Sequence, residues 1–287
     1  ILNIILDPIF IFDLESLGGF GFGLGIAGAA MATVISQVVV FIVFIFMLFF
    51  KNHSYISFNL SDFTFSTDII WDIIKVGLPA SLSMIVMAVG QGVFNKILVH
   101  ISVNTVAAYQ VAGRLDMLVF LPIFSIAASL TTLVGMFYGA KEYRALRYII
   151  KYGIFSALLI TIISSTIVYT FAGHVVRFFT DDASIVIIAV NFLQIFAFAY
   201  PFISVGITTG RVLQGLGKGL PVLIITIVRV LGVSAPLALF FVFIMDKTVE
   251  YVWYSMMLST IVAFGIGLTW LISTLKILPT SGQSLNN

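Results

Sequence analysis

The stretch "GIAGAAMATVISQVVVFIVFIFMLFF", residues 25–50, carries no charged side chain from end to end. About 20 mostly apolar residues are needed for a helix to cross the ~30 Å hydrocarbon core of a bilayer. This run meets that requirement, and it recurs along the chain. Further runs over Val76–Asn95, Met117–Ala140, Tyr152–Val176, Ala183–Gly210, Gly219–Met245 and Tyr251–Leu275 meet it as well, and Arg229, inside Gly219–Met245, is the one charge among them. Ile1–Phe12 is apolar but too short to span. The expectation is an all-α polytopic membrane protein with about seven complete spans and one partial N-terminal helix. A transmembrane barrel would alternate apolar and polar residues, and these continuous runs do not.

Composition agrees. Of 287 residues, 61% are hydrophobic and 9% charged, against roughly a quarter charged in a soluble domain. The mean hydropathy is +1.18. Cysteine is absent, which excludes disulfides and thiolate chemistry. His53, His100 and His174 are far apart and give no ligand spacing for a metal. A net charge of +2 is too small to suggest a nucleic-acid partner. The chain opens inside an apolar segment, with no basic n-region of a signal peptide, and residue 1 is read as a truncation point.

Loop charges set an orientation. Lys141, Arg144, Arg147 and Lys151 in "KEYRALRYIIK", Arg211 and Lys218, and Lys51, Lys75 and Lys276 fall on one side by alternation. The other side carries Asp13, Glu15, Arg177, Asp181, Asp182, Asp246, Lys247 and Glu250. Excess Lys and Arg mark the cytoplasmic side. Residues 51–71, rich in Ser, Thr, Asn and Asp, are expected to be a cytoplasmic linker between two bundles. Its two Asn-x-Ser triplets, at Asn52 and Asn59, are discounted as glycosylation sites because they fall on that side.

Asp7 in "NIILDPIF" is the first chemical candidate. An ionisable residue within a span is expensive and by default functional. Asn3 lies four residues earlier on the same helical face, and Pro8 lacks the N–H that would bond the carbonyl of Ile4. One turn thus offers oxygen ligands suited to a proton or a hard monovalent cation. The competing reading is an aspartate capping a frayed helix end. Thr33, on the next helix, either faces Asp7 or bonds its own backbone. The glycine cluster "GGFGFGLGIAG" contains a literal G-x-G-x-x-G at Gly23, Gly25 and Gly28. The dinucleotide reading requires a preceding strand, which is lacking, so these glycines are read as close helix packing. Arg114 and Asp116 are read as a charged turn at a helix start. Lys96 and Arg229 are given structural roles. Met84, Met87, Gln91 and Asn95 lie on one span, and their polarizable and amide groups make them candidates for a substrate cavity, with ordinary packing equally open. "ILDPIFIF" and "VSAPLALF" align on Pro8 and Pro236 as a faint internal repeat, in which Leu231 and Ala235 stand where Asn3 and Asp7 would be.

Taken in order, "NIILDPIFIF", "GLGIAGAAMATVIS", "KVGLPASLS", "AAYQVAGRLDML", "LTTLVGMFYGAKEYRAL" and "GRVLQGLGKG" resemble helices five to ten of the MATE (multidrug and toxic compound extrusion) transporters. The resemblance covers essentially the whole chain. It implies helices five to twelve of a twelve-helix protein built as two six-helix lobes around a central cavity. Residues 1–50 would then be the last two helices of the N-terminal lobe, 51–71 the inter-lobe linker, 72–278 the C-terminal lobe and 279–287 a polar tail. The resemblance points to the DinF-like branch, whose cation site matches Asn3 and Asp7, with Thr33 a less close match. The NorM branch carries acids where this chain has Met87 and, on the tenth helix, a position near Ile203. Met136 and Phe137 also depart from the family's usual G-Q-N-Y-G-A.

The resemblance therefore implies a multidrug efflux antiporter in a prokaryotic plasma membrane. It would exchange amphipathic, often cationic organic compounds for H⁺ or Na⁺. No cofactor, no enzymatic step and no nucleic acid is expected, the surroundings are the lipid bilayer, and the protein would act as a monomer. The runner-up is a flippase of lipid-linked oligosaccharides in the same wider superfamily, which would need a basic cavity. An integral-membrane enzyme is a weaker alternative.

Overall fold

The computed structural model describes residues 1–13, 21–50 and 64–279, with the side chains of residues 49 and 50 left aside. The expected linker as far as residue 63, both Asn-x-Ser triplets, His53, Glu15 and the tail from residue 280 lie outside the described residues. The chain is α-helical and polytopic. Eight helices succeed one another among the described residues: α1 (Leu2–Ile11), α2 (Gly25–Phe50), α3 (Thr67–Ile101), α4 (Val103–Gly139), α5 (Tyr143–Arg177), α6 (Ala183–Gly215), α7 (Leu220–Ile244) and α8 (Glu250–Ile277). The last seven are long and apolar enough to cross a membrane.

Several helices outrun the apolar runs that announced them. Helix α3 starts at Thr67, before the expected end of the linker at residue 71, because the Ser66 side chain caps it by accepting from the Ile69 N–H. Asp68 lies in its first turn, where a negative charge suits the positive end of the helix dipole. Its 35 residues make a rod of about 52 Å at 1.5 Å per residue, so both ends project beyond the hydrocarbon. Helix α4 begins at Val103, with Ser102 as N-cap to the Thr105 N–H. Arg114 and Asp116 are therefore deep inside a helix and do not form a turn at its start. The charged loop is also shorter than expected, since Arg144, Arg147 and Lys151 belong to α5.

The chain divides into two compact units, Ile1–Phe65 and Ser66–Asn287. In the first, α1 and α2 pack as a hairpin whose turn runs back along α1. The N–H groups of Phe22, Gly23 and Leu24 donate to the carbonyls of Ile9, Phe12 and Phe10 at 2.8, 3.2 and 3.0 Å. These bonds satisfy the carbonyls that a helix end leaves without partners. Gly23 and Gly25 have φ of +59° and +55°, which side chains disfavour and glycine accepts. Gly28 is buried directly beneath the Phe10 carbonyl, which leaves no room for a Cβ. Ala32 and Ser36 continue its buried face at four-residue spacing. The cluster's helix-packing role holds at Gly28, whereas Gly23 and Gly25 serve the turn.

In the second unit α6 is the most enclosed helix, packed against α4, α5 and α8. Helix α5 presents Gly153, Ala157, Thr161 and Ser165, all buried at four-residue spacing. This small-residue face lets helix backbones approach: Leu130 of α4 fills the space at Gly153, and the Ser165 hydroxyl donates to the Ala197 carbonyl of α6. Arg147 closes the far end by donating from Nη2 to the carbonyls of Leu275 and Leu278 at 2.8 and 2.9 Å. Helix α7 is irregular. Its segments Val228–Ser234 and Phe240–Ile244 are wound as π-helix, and Pro236 lies between them. A proline cannot donate to the carbonyl four residues back, and a wider turn is one way for a helix to absorb that.

Candidate functional site

Each unit contains one group of side chains capable of chemistry. In the first, Asn3, Asp7 and Thr33 come together. The Asn3 Nδ2 donates to Asp7 Oδ1 at 3.0 Å and to Thr33 Oγ1 at 3.5 Å. The first contact is the i, i+4 pair that the spacing dictates. The second joins α1 to α2. Thr33 bonds its own backbone, its hydroxyl donating to the Ala29 carbonyl at 2.9 Å, and it meets Asn3 rather than Asp7, accepting from the amide. Asp7 and Asn3 are half-buried, and Pro8 lies inside α1, next to the carboxylate.

The second unit holds a cavity of about 130 Å³. Its walls are Met87, Gly90, Gln91 and Phe94 from α3, Tyr109 and Asp116 from α4, Phe192 and Phe196 from α6, Arg229, Val230 and Ser234 from α7, and Met256, Ser259 and Thr260 from α8. Of the four residues expected to face a cavity, Met87 and Gln91 do. Met84 is 75% exposed and Asn95 instead accepts from Gln110 Nε2 at 3.4 Å. The physical reason is angular. At 3.6 residues per turn, the lining positions 87, 90, 91 and 94 centre about 80° round the helix from 84 and 95.

Two charged residues in these walls carried other expectations. Asp116 is about 20 Å into α4 at 1.5 Å per residue, and its Oδ1 accepts from the Tyr200 hydroxyl of α6. Arg114, two residues away, points elsewhere and is exposed. Arg229 lies in the π-wound part of α7, and its Nη2 contacts the Met87 thioether sulfur at 2.8 Å. The structural role expected of it did not include a cavity wall, where the structure places it. The aromatic wall is tightly organised: Phe192 stacks on Phe196 with centroids 4.1 Å apart and meets Trp253 edge-on at 4.8 Å. Tyr109 stacks on Trp253 at 5.8 Å and reaches Gln91 Oε1 at 3.5 Å. One signal could have found Asp116: with Arg114 it forms an isolated charged pair, flanked on both sides by long stretches free of Asp, Glu, Lys and Arg, once Ser102 is recognised as a helix cap.

Among the described residues, seven helices long and apolar enough to span, with a carboxylate on an apolar helix of each unit, define a polytopic membrane protein. The MatE family model matches residues 79–240, and the chain belongs to this family. It is 29% identical over 238 residues to the probable multidrug resistance protein NorM of Thermotoga maritima, covering 83% of this chain and 50% of that protein. It is 32% identical over 218 residues to the multidrug export protein MepA of Staphylococcus aureus, covering 76% of this chain and 46% of that one. The chain therefore spans about half the length of the curated relatives it matches. A MATE crystal structure in the straight conformation superposes with a TM-score of 0.88 at 32% identity, covering 96% of this chain and 60% of that chain. A MOP superfamily transporter from Pyrococcus furiosus, described as having a binding pocket of reversed polarity, superposes at 0.86 with 32% identity, covering 98% and 61%.

Proposed function

We propose that the full-length protein is a cation-coupled multidrug efflux antiporter of the plasma membrane, and that Asp7, Asn3 and Thr33 form its coupling site. Observed geometry supports this reading: a carboxylate, an amide and a hydroxyl from two helices meet within 3.0 and 3.5 Å in an apolar hairpin. Asp7 alternates between a carboxylate and a proton- or Na⁺-bound form. With its Nδ2 turned to Asp7, Asn3 suits the ion-free carboxylate, since an amide N–H stabilises a negative oxygen. For Na⁺ the amide turns about χ2 and presents its oxygen. Pro8 provides the bend through which α1 responds to the change of charge, and the loss of charge at Asp7 is read as displacement of an amphipathic organic substrate.

The names of the bacterial relatives, multidrug resistance protein and multidrug export protein, support drug-like substrates. A flippase of lipid-linked sugars would need several basic groups for its phosphates. The cavity of the second unit has one arginine, and an aspartate in the same wall. The test is cation-driven transport by the full-length protein in proteoliposomes. Asp7→Asn is expected to abolish the dependence on H⁺ or Na⁺ gradients. Wild-type coupled transport by this variant would sink the proposal.

A further inference from the structure

The second unit's cavity has an unbalanced charge, and that imbalance identifies a ligand. Asp116 and Arg229 share the wall, yet they do not pair. Asp116 is held by the Tyr200 hydroxyl. Arg229 makes one hydrogen bond, to the Met87 sulfur, and has no carboxylate within ion-pairing distance among the described residues. A guanidinium has five N–H donors in a planar fork, and a thioether is a weak acceptor for one of them. A charge inside a span is costly unless it is matched. The aspartate already has its donor, so the group still lacking a partner oxygen is the cation.

The rest of the cavity fixes the shape of what completes it. The cavity, about 130 Å³ and walled in part by polar side chains, is on the scale of a single aromatic ring. Its walls include Phe94, Tyr109, Phe192 and Phe196, with Tyr109 edge-on to Phe192 at 5.6 Å. Flat rings are the natural filling for such walls. An arginine fork binds a carboxylate through two parallel hydrogen bonds. The geometry points to a binding site for an aryl carboxylate: one aromatic ring lying against the wall that Phe94, Tyr109, Phe192 and Phe196 form together, with its anionic group on Arg229. The walls of the site include none of the proposed coupling residues of the first unit. It rests on the efflux reading only insofar as the bound group belongs to a transported compound.

The experiment measures binding of benzoate, benzamide and benzamidine to the purified full-length protein in lipid nanodiscs by ligand-observed NMR titration. The three probes have the same ring and differ in charge. Benzoate is expected to bind at least tenfold more tightly than benzamidine. Arg229→Met should weaken benzoate by tenfold or more and leave benzamide unchanged, which also reports that the cavity is intact. Arg229→Lys keeps the charge without the fork and should retain the preference for benzoate, weakened severalfold. Equal or stronger binding of benzamidine by the wild-type protein overturns the proposal, and so does undiminished benzoate binding by Arg229→Met. Should Arg229→Met lose benzamide as well, the Lys variant decides: a lost preference for benzoate over benzamidine there overturns the proposal. Asp7→Asn separates the two readings. It should abolish coupled transport while leaving the preference for benzoate over benzamidine intact, so a failure of either reading shows in its own measurement.

Discussion

Replacing Gly28 with alanine tests how the coupling cluster is held together. A Cβ at this position falls onto the carbonyl of Phe10, and the adjoining Ile11 nitrogen is 3.1 Å away. Both neighbours are backbone, so no rotamer change relieves the clash. Helix α1 must retreat from α2 by roughly an ångström to restore ordinary contact distances. Overpacking of this kind costs typically about 1–3 kcal/mol. The damage should be selective. The Asn3–Asp7 bond lies within α1 and moves with it. The Asn3–Thr33 contact, already 3.5 Å, joins the two helices and should be lost. Gly28→Ala should therefore lower the thermal-unfolding midpoint of the full-length protein and weaken the proposed cation dependence, without removing the Asp7 carboxylate. Unfolding followed by intrinsic fluorescence in detergent measures the first effect, and transport at graded Na⁺ and pH measures the second. A wild-type midpoint together with wild-type cation dependence would refute the reasoning that only glycine fits under the Phe10 carbonyl.

Two further outcomes are expected. Tyr200→Phe removes the donor to the buried Asp116 carboxyl, and a hydrogen bond to a charged group contributes about 1.5–3 kcal/mol; reversible unfolding in mixed micelles should show a loss of that order, and an unchanged stability would show that the contact is idle. Asp182 caps α6 at the membrane surface, where the Ser184 hydroxyl and then the Ser184 and Ile185 N–H groups hold its carboxyl below the usual range. A depressed carboxyl stabilises the folded state fully above the usual carboxylate range, near 4, and that contribution fades as pH falls through its own lower value. Asp182→Asn should flatten the acid limb of a stability–pH profile below about 4, and an identical limb would argue against the cap.

The spans and the Asn3–Asp7 pairing were legible because both rest on short-range regularities. Charge-free length reports a spanning helix, and the four-residue spacing of Asn3 and Asp7 reports a shared face. Thr33 needed a second helix to be placed, and the resemblance to a known family supplied its position. Helix starts were misjudged where polar residues belong to the helix. Ser66 and Ser102 extend α3 and α4 well outside their apolar runs, and Asp116 became an intramembrane acid only once Ser102 was seen as the cap. The cavity was half legible for a different reason. Met84, Met87, Gln91 and Asn95 do share a broad face of α3, but which side of that face meets α4 and α7 is decided by packing between distant segments. Arg229 was visible as an isolated charge, yet its neighbour Met87 is 142 positions away in sequence, beyond the reach of any local pattern.

The π-wound segments of α7 also govern how its two ends are phased. A π turn holds more residues than an α turn, so each wide segment rotates everything beyond it relative to a regular helix. Ala235, Ala238 and Val242 reach the core of the second unit with a rotational offset set between Val228 and Ser234, the same turns that carry Arg229 into the cavity wall. If those turns tightened to regular α-helix, the guanidinium and the outer half of α7 would have to swivel against each other. The chemistry of one arginine is thus geared to the seating of the outer half of its helix, and a ligand that holds the guanidinium also holds that rotation.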